Sequence, residues 1–215
     1  MRSTDLSAGY TDRAEAVTRL AEALRDYAGR ADVVVLGLVR GGVPVAARVA
    51  TALHAPLDIM VVRKLGVPWA PEVAFGALGP GGVVVHNPDV ESQLSPDDVA
   101  SVTRQESAEQ GRREDRYRNG RPAVDLAGRV ALIVDDGLAT GATARAAAGV
   151  ARKLGAARVV VAIPVGAAEA VGLLRAEADE VICPLIPPSF GAVSRFYRDF
   201  PQTTDEEVST LLASG

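Results

Sequence analysis

Residues 130–146 read VALIVDDGLATGATARA and combine an apolar run, two adjacent carboxylates and a loop of small residues. The apolar run 130–134 predicts a buried strand, and residues 142–154 have the spacing of a helix. In a parallel sheet, ligands bind beyond the carboxyl ends of the strands, where Asp135 and Asp136 would lie. We therefore expect a ligand site at the end of this strand.

The loop between the carboxylates and the helix has the composition of a phosphate site. Ala139, Thr140, Gly141, Ala142 and Thr143 can turn backbone N–H groups and two hydroxyls toward one phosphate, helped by the dipole of the following helix. The loop lacks the Gly-Lys-Ser/Thr of a Walker A motif, which disfavours nucleotide triphosphate hydrolysis, and no Rossmann fingerprint is present. The alternative is a surface turn whose two acids cap the helix.

Two carboxylates beside a phosphate would repel it unless they bind hydroxyls or a divalent cation. A ribose 5-phosphate offers two hydroxyls at a suitable distance. The segment resembles the 5-phosphoribosyl 1-diphosphate (PRPP) binding motif of type I phosphoribosyltransferases, and VDDGLATGAT is particularly like the adenine-specific members. The resemblance implies that Asp135 and Asp136 bind the ribose hydroxyls and help to organise Mg²⁺, while residues 139–143 hold the 5′-phosphate.

The rest of the chain predicts one α/β domain over residues 1–215, with a mostly parallel sheet flanked by helices on both faces. Its 215 residues are 48% hydrophobic and 23% charged, which is typical of a folded globular chain. Apolar β-branched runs predict strands at 33–38, 57–62, 83–86, 130–134, 158–163 and 180–183, and residues 73–78 are a candidate short strand within a loop-like stretch. Helical spacing predicts helices at 11–30, 43–53, 142–154 and 167–176.

Arg40, Gly41 and Gly42 follow the first predicted strand. Bare backbone amides in such a loop can approach an anion closely. By resemblance this is the diphosphate-binding loop, and a non-proline cis peptide is expected at 39–40 or 40–41. The alternative is an ordinary strand-to-helix turn with Arg40 in solvent.

Arg63 and Lys64 close the second predicted strand, and VVRKLGVP resembles the stretch that adenine and orotate phosphoribosyltransferases carry before their mobile loop. The resemblance implies that both cations are catalytic and stabilise the departing diphosphate. Residues 66–80 would be a loop-like mobile lid, with Glu72 pairing with one of the cations. The alternative is two cations that face water.

Aromatic residues form 4% of the chain, yet Tyr197 and three of the four Phe residues lie in the stretch PPSFGAVSRFYRDFPQ near the C-terminus. We expect residues 184–215 to form an irregular hood that supplies the base-binding site through Phe190, Phe196, Tyr197 and Asp199. The alternative is that these rings attach the tail to the core. Ala139 stands where hypoxanthine-guanine enzymes have an Asp, which agrees with the adenine enzymes and leaves the general base unassigned.

Charge and cysteine content exclude several classes of function. With 23 basic and 27 acidic residues the net charge is −4, so no global positive field favours nucleic acid or an anionic membrane. A single cysteine, Cys183, indicates a reducing compartment. Residues 1–16 lack the apolar core of a signal peptide, and no stretch approaches the roughly 18 apolar residues of a membrane span. A cytoplasmic location is expected.

Residues 95–121 predict a charged helical segment with Ser95 as its cap. Arginines and acids alternate at helical spacing, which is typical of a solvated helix with internal salt bridges, and this helix could also contact a second copy in a homodimer. Trp69 lies in the predicted lid, where anchoring the lid and stacking on substrate are both open.

The predicted function is therefore Mg²⁺-dependent transfer of the ribose 5-phosphate group from PRPP to a nitrogenous base, with small molecules as partners. A PRPP-sensing regulator without catalysis is the first alternative, but the acidic chain carries no basic surface or added nucleic-acid module that such a role predicts. A hydrolase of sugar diphosphates is the second alternative, and it would need no hood.

Overall fold

The computed structural model describes residues 9–214, so residues 1–8 of the N-terminal stretch lie outside the described part. Eight strands are found in this part, in chain order β1 (Val33–Leu38), β2 (Leu57–Met60), β3 (Arg63–Val67), β4 (Ala70–Leu78), β5 (Val84–His86), β6 (Val130–Val134), β7 (Arg158–Ala162) and β8 (Glu180–Ile182). The α-helices are α1 (Arg13–Ala23), α2 (Gly42–Leu53), α3 (Pro88–Glu91), α4 (Pro96–Arg118), α5 (Ala142–Lys153), α6 (Ala168–Leu174) and α7 (Asp205–Ala213).

The main sheet has five parallel strands in the order β2-β1-β6-β7-β8. Strand β6 is central, with Leu132 opposite Val35 of β1 and Val160 of β7. Every residue of β1, β2 and β6 is buried. Continuous apolar strands of this kind require cover on both sides of the sheet.

Helices supply that cover on both faces. Val33, Val35 and Leu132 face one side and pack in a core with residues of α1, α2 and α7. Val34 and Ile133 face the other side and pack against α5 and α6. The predicted fold class, a mostly parallel sheet between two helical layers, is confirmed.

Residues 63–86 form a separate three-stranded antiparallel sheet in the order β3-β4-β5, which was not predicted, although β4 and β5 contain the strands predicted at 73–78 and 83–86. Arg63 and Lys64 begin β3 rather than closing the second strand of the main sheet, and most of residues 66–80 is a hairpin rather than a loop. The register shifts at Gly66, where a Cβ would lie 2.8 Å from the Pro71 carbonyl oxygen. Glycine and proline here mark an irregular strand pairing, which local composition does not distinguish from a loop.

Helix α4 joins the two sheets. Near its start, Val99 and Val102 pack on the core of the small sheet around Phe75, while near its end Tyr117 belongs to the core of the main sheet. The predicted cap is confirmed, since Ser95 Oγ accepts a hydrogen bond from the Asp98 N–H at 3.1 Å.

The C-terminal region contains a helix that the sequence reading treated as irregular. Thr204 Oγ1 caps α7 by accepting from the Glu207 N–H at 3.1 Å. Val208 and Leu212 on this helix are buried in the main core. The two prolines at 187–188 exclude regular structure only near themselves. Further along the chain a short helix can still form, because a capping residue at its start and two apolar residues spaced i, i+4 are enough to pack it on the core.

None of the helices within residues 9–214 combines the length and apolar character needed to cross a membrane.

A buried ion pair fixes the end of α4 to the main sheet. The Arg118 guanidinium pairs with the carboxylate of Asp58 on β2, and both side chains are below 10% exposed. Arg118 also donates to the Ile59 carbonyl oxygen at 3.1 Å, and Asp58 accepts from the Val124 N–H at 2.7 Å. Removing one partner of such a pair leaves an uncompensated buried charge.

Replacing Arg118 with Met should therefore lower the free energy of unfolding by about 3 kcal/mol or more, measured by urea denaturation. The matched control is Arg104→Met on the exposed face of the same helix, which should change it by less than about 0.5 kcal/mol. Equal denaturation midpoints for the two variants would contradict a stabilising role for this pair.

Candidate functional site

Asp135 and Asp136 lie at the carboxyl end of β6, the central strand. The strand holds them there because Val134 pairs with both Gly37 of β1 and Ala162 of β7. The Asp136 N–H donates to Asp135 Oδ1 at 2.9 Å. The predicted position of the two acids, beyond the end of a buried parallel strand, is thus confirmed.

The loop after β1 lies directly against these acids. The Val39–Arg40 peptide is cis, as predicted. A Cβ on Gly41 would lie 2.4 Å from Asp136 Oδ2, and one on Gly42 would lie 2.6 Å from the Val134 carbonyl oxygen. A side chain at Gly42 would therefore collide with fixed backbone, and one at Gly41 would have to displace the Asp136 carboxylate. The two loops form one continuous surface at the sheet edge.

The residue that precedes the loop of residues 139–143, Leu138, is held by two backbone hydrogen bonds. Leu138 donates its N–H to the Val165 carbonyl oxygen at 2.9 Å and accepts from the Ala167 N–H at 2.9 Å. Gly141 has φ +77°, a left-handed conformation that favours glycine, and α5 begins at the next residue. Because the first N–H groups of a helix have no intrahelical partner, this start has the donors and the dipole that an anion requires.

The side chains of this loop leave room for a ligand. Ala139, Thr140, Ala142 and Thr143 are all exposed. Thr140 and Thr143 line a cavity of about 750 Å³ that extends to Lys64 and strand β4. This volume lies within the usual range for small-molecule sites.

Arg13 is a member of the site that the sequence reading missed. Its Nη2 and Nε contact Asp136 Oδ2 at 2.9 and 3.3 Å, and the two side chains are 12% and 13% exposed. Its guanidinium also lies 4.0 Å from the centre of the Phe200 ring. No local pattern marks Arg13, since its partner is 123 residues away.

Burial determines the electrostatics of the two acids. It raises the pKa of Asp135 well above its ordinary value, and the neighbouring charge of Asp136 raises it further. Burial also raises the pKa of Asp136, against the opposing effect of the Arg13 guanidinium. A bound cation or hydroxyl donor would relieve both effects, which is typical of a functional rather than a structural carboxylate pair.

The C-terminal tail covers one side of the acids. The Tyr197 hydroxyl donates to the Asp136 carbonyl oxygen at 2.6 Å, and burial raises the pKa of this phenol. A Cβ on Gly137 would lie 2.5 Å from a methyl group of Val193, so the tail packs tightly here. The hood predicted for residues 184–215 thus contacts the acid pair through Tyr197.

The aromatic side chains of the tail mostly contact one another and the N-terminal segment. Tyr197 packs on Tyr10 and stacks on Phe200, with ring centroids 5.6 and 4.7 Å apart. Phe190 and Phe196 pack together at 5.2 Å. Asp199 is exposed. These contacts attach the tail to the core, and base binding by Phe190, Phe196, Tyr197 and Asp199 stays a prediction.

The two predicted catalytic cations have different surroundings. Arg63 is paired with Glu106 of α4, with Nε and Nη2 at 2.7 and 2.6 Å from Oε2. Lys64 lies 3.5 Å from the Glu72 carboxylate and lines the cavity that contains Thr140 and Thr143. The expected pairing of Glu72 with one of the cations is confirmed, and Lys64 is the cation that shares a cavity with the phosphate loop.

Comparisons with known proteins agree with this geometry. A family model described as phosphoribosyl transferase domain matches residues 10–74 and 62–201. Two Mycobacterium tuberculosis proteins, each named "Putative phosphoribosyl transferase", are 52% identical over 205 residues, which is 94% of this chain and 46% of theirs. The chain thus spans about half the length of these curated relatives. A Thermus thermophilus protein, TT1426, has a crystal structure with a TM-score of 0.89 at 42% identity, covering 96% of this chain and 98% of that one.

The raised pKa of Asp135 predicts a stability effect with a definite sign. A carboxyl whose pKa is higher in the folded than in the unfolded chain stabilises the fold most below the unfolded pKa, near 4, and this contribution is lost as pH rises through the folded pKa. Asp135→Asn should therefore be more stable than the unchanged protein at pH 8, by on the order of 1 kcal/mol, and the difference should shrink toward pH 4.5.

Urea denaturation in metal-free buffer across this pH range measures the difference. Asp26→Asn is the control, because Asp26 is 93% exposed and its removal should give no such trend. An Asp135→Asn variant that is less stable than the unchanged protein at pH 8 would contradict the assigned burial effect.

Proposed function

The chain belongs to the phosphoribosyl transferase domain family, and from this premise we propose that it transfers the 5-phosphoribosyl group of PRPP to a nitrogenous acceptor with release of diphosphate. In the reaction the bond between the anomeric carbon and diphosphate breaks, and a bond from that carbon to the acceptor nitrogen forms. Because the chain spans about half the length of its curated relatives, the proposed activity is that of this domain alone. We infer that the acceptor is a nitrogenous compound from the family resemblance and from the aromatic tail.

The observation that carries the proposal is the meeting of three loops at one sheet edge. The buried acids Asp135 and Asp136 follow β6, Gly41 of the loop after β1 touches the second acid, and residues 139–143 open α5 immediately beyond. A sugar that carries phosphate at one end and diphosphate at the other needs two anion sites on either side of a hydroxyl-binding site. The three loops would supply these sites, with the acids between the loop after β1 and the start of α5.

The acid pair has free acceptor atoms for two hydroxyls. Of the two Asp136 carboxylate oxygens, Arg13 donates only to Oδ2, and of the two Asp135 carboxylate oxygens, the Asp136 N–H donates only to Oδ1. Among the described residues, 9–214, no donor reaches Asp136 Oδ1 or Asp135 Oδ2. These two oxygens would accept hydrogen bonds from the two ribose hydroxyls, which orients the ring.

The residues present also fit a magnesium ion. Mg²⁺ prefers oxygen ligands and is usually bound by one or two carboxylates together with waters and substrate phosphates. Asp135 and Asp136 are such a pair, and no cluster of three or more His, Cys, Asp or Glu able to hold a metal occurs within residues 9–214. The pair would hold the ion together with the substrate, and the ion would neutralise charge on the leaving diphosphate.

The remaining roles follow from position. The N–H groups at the start of α5, with Thr140 and Thr143, would bind the 5′-phosphate. Backbone amides of Gly41 and Gly42, with Arg40 and Lys64, would bind the diphosphate and favour its departure.

The hairpin of residues 66–80 would close over the cavity as a lid and exclude water. It carries Trp69, which is 67% exposed. The acceptor would bind beside the tail, next to Tyr197. The cytoplasmic location and the homodimer both stay predictions from the sequence.

The decisive test incubates the protein with PRPP, MgCl₂ and a panel of nucleobases and small amines, with products followed by ³¹P NMR. We expect diphosphate and an N-glycosidic nucleotide in equal amounts. Asp135→Asn combined with Asp136→Asn should abolish PRPP binding or turnover, because both hydroxyl acceptors lose their charge, while the far-ultraviolet circular dichroism stays unchanged.

The control is Glu206→Gln combined with Glu207→Gln, which removes two adjacent exposed carboxylates from α7 and should keep full activity. Tight PRPP binding without turnover across the panel would support the sensor instead. Unchanged activity in the double Asn variant would overturn the site assignment.

A further inference from the structure

A second cavity, of about 570 Å³, lies between helix α4, the start of α7 and the loop after β1. Four arginines line it, namely Arg40, Arg112, Arg113 and Arg116. The other lining residues are two carboxylates and one tyrosine. Neither the acid pair nor residues 139–143 contribute to its walls, and Arg40, from the loop after β1, is the lining residue that the proposed diphosphate site also uses.

The first carboxylate, Glu109, is shared between two of the arginines. Arg112 Nη2 contacts one carboxylate oxygen at 2.7 Å, and Arg113 Nε contacts the other at 2.8 Å. The Arg112 side chain remains 69% exposed. One negative charge thus faces two positive charges on this wall.

The second carboxylate, Asp205, is shared in the same way. Arg116 Nη1 lies 2.8 Å from one oxygen, and Arg40 Nη1 lies 3.6 Å from the other. The Tyr117 hydroxyl also donates to Asp205 at 2.8 Å. Asp205 therefore faces three side chains, and one negative charge again faces two positive charges.

Four guanidinium groups and two carboxylates leave the cavity with a net charge of about +2. Arg112 and Arg116 are spaced i, i+4 on one helix, an arrangement of like charges that destabilises a helix by a few tenths of a kcal/mol. Each guanidinium has five N–H donors, so most of the donors here have no carboxylate partner. The excess of charge and donors favours an anionic ligand.

We propose that this cavity is a second anion site and binds a phosphorylated small molecule. A phosphate monoester carries a charge of about −1.5 to −2 at neutral pH, which matches the excess, and its oxygens fit the planar donor fork of arginine. The volume exceeds that of a phosphate group alone, which leaves room for the rest of a small ester. The site is concave, whereas a nucleic-acid backbone would need an extended basic surface.

Two tyrosines allow the two sites to be observed separately. The chain has four Tyr residues, so labelling their rings with ¹³C gives four resolvable NMR signals, assigned by Tyr→Phe variants. Tyr117 lies in the proposed anion site, and Tyr197 bonds the backbone of Asp136. Titration with inorganic phosphate, and separately with AMP as an ester, needs no PRPP and so does not depend on transfer activity.

We expect both probes to shift the Tyr117 signal saturably, and AMP to bind more tightly than inorganic phosphate. Arg113→Gln combined with Arg116→Gln should weaken this response at least roughly tenfold, because two charged donors are lost, and should leave the Tyr197 response unchanged. The matched control is Arg104→Gln, which removes one charge from α4 outside the cavity and should change nothing.

If the double variant is unstable to heat, Arg116→Gln alone replaces it in the titration, because the Arg116 side chain is 65% exposed and its loss should disturb the fold little. The proposal fails if the Tyr117 signal does not move, if NaCl at equal ionic strength moves it equally, or if the arginine variants bind as tightly as Arg104→Gln. A stronger response to inorganic phosphate than to AMP would identify free phosphate as the ligand and overturn the ester.

Discussion

The burial of two adjacent carboxylates at the end of the central strand is the constraint on which the rest of the site depends. Burial raises the pKa of Asp135 and Asp136, so the folded chain must offset their charge locally. Arg13 does this for Asp136. The backbone that carries the acids also restricts the neighbouring loop, because the Val134 carbonyl oxygen and the Asp135 Cα leave no room for a side chain at Gly42. A glycine with a bare backbone amide at this point of the sheet edge thus follows from the position of the acids.

The buried acids are covered by two segments that are far apart in the chain, one near its N-terminus and one near its C-terminus. Tyr10 pairs with Tyr197 as in a parallel sheet, and the Tyr10 N–H donates to the Phe196 carbonyl oxygen at 2.7 Å. This pairing places Arg13, at the start of α1, against Asp136. The cover over the acids is therefore built from an N-terminal and a C-terminal segment, whereas the sequence indicated only the second. The aromatic cluster of Tyr10, Tyr197 and Phe200 holds the two segments together. It thereby also positions Arg13, the cation that balances the charge of Asp136.

Those parts of the fold that depend on local pattern could be predicted from the sequence. Residues 33–38 and 130–134 were predicted as strands with the bounds observed for β1 and β6, because fully buried parallel strands have unbroken apolar runs. Residues 73–78 of β4 were a candidate strand, but the pairing of β4 with β3 was missed, since it depends on register rather than on composition. Arg13 was missed for a related reason. A contact between residues 123 apart leaves no spacing to detect.

The position of Arg63 and Lys64 in β3 bears on their proposed chemistry. Adjacent side chains on a strand point to opposite faces, so these two neighbouring cations have different surroundings. The contacts follow this rule, with Arg63 held by Glu106 of α4 and Lys64 in the cavity with Thr140 and Thr143. In the proposed transfer, Lys64 would contact the substrate from this cavity, and the catalytic role of Arg63 stays a prediction. Because Glu106 of α4 holds Arg63, a movement of the hairpin as a lid would have to break this ion pair or carry α4 with it.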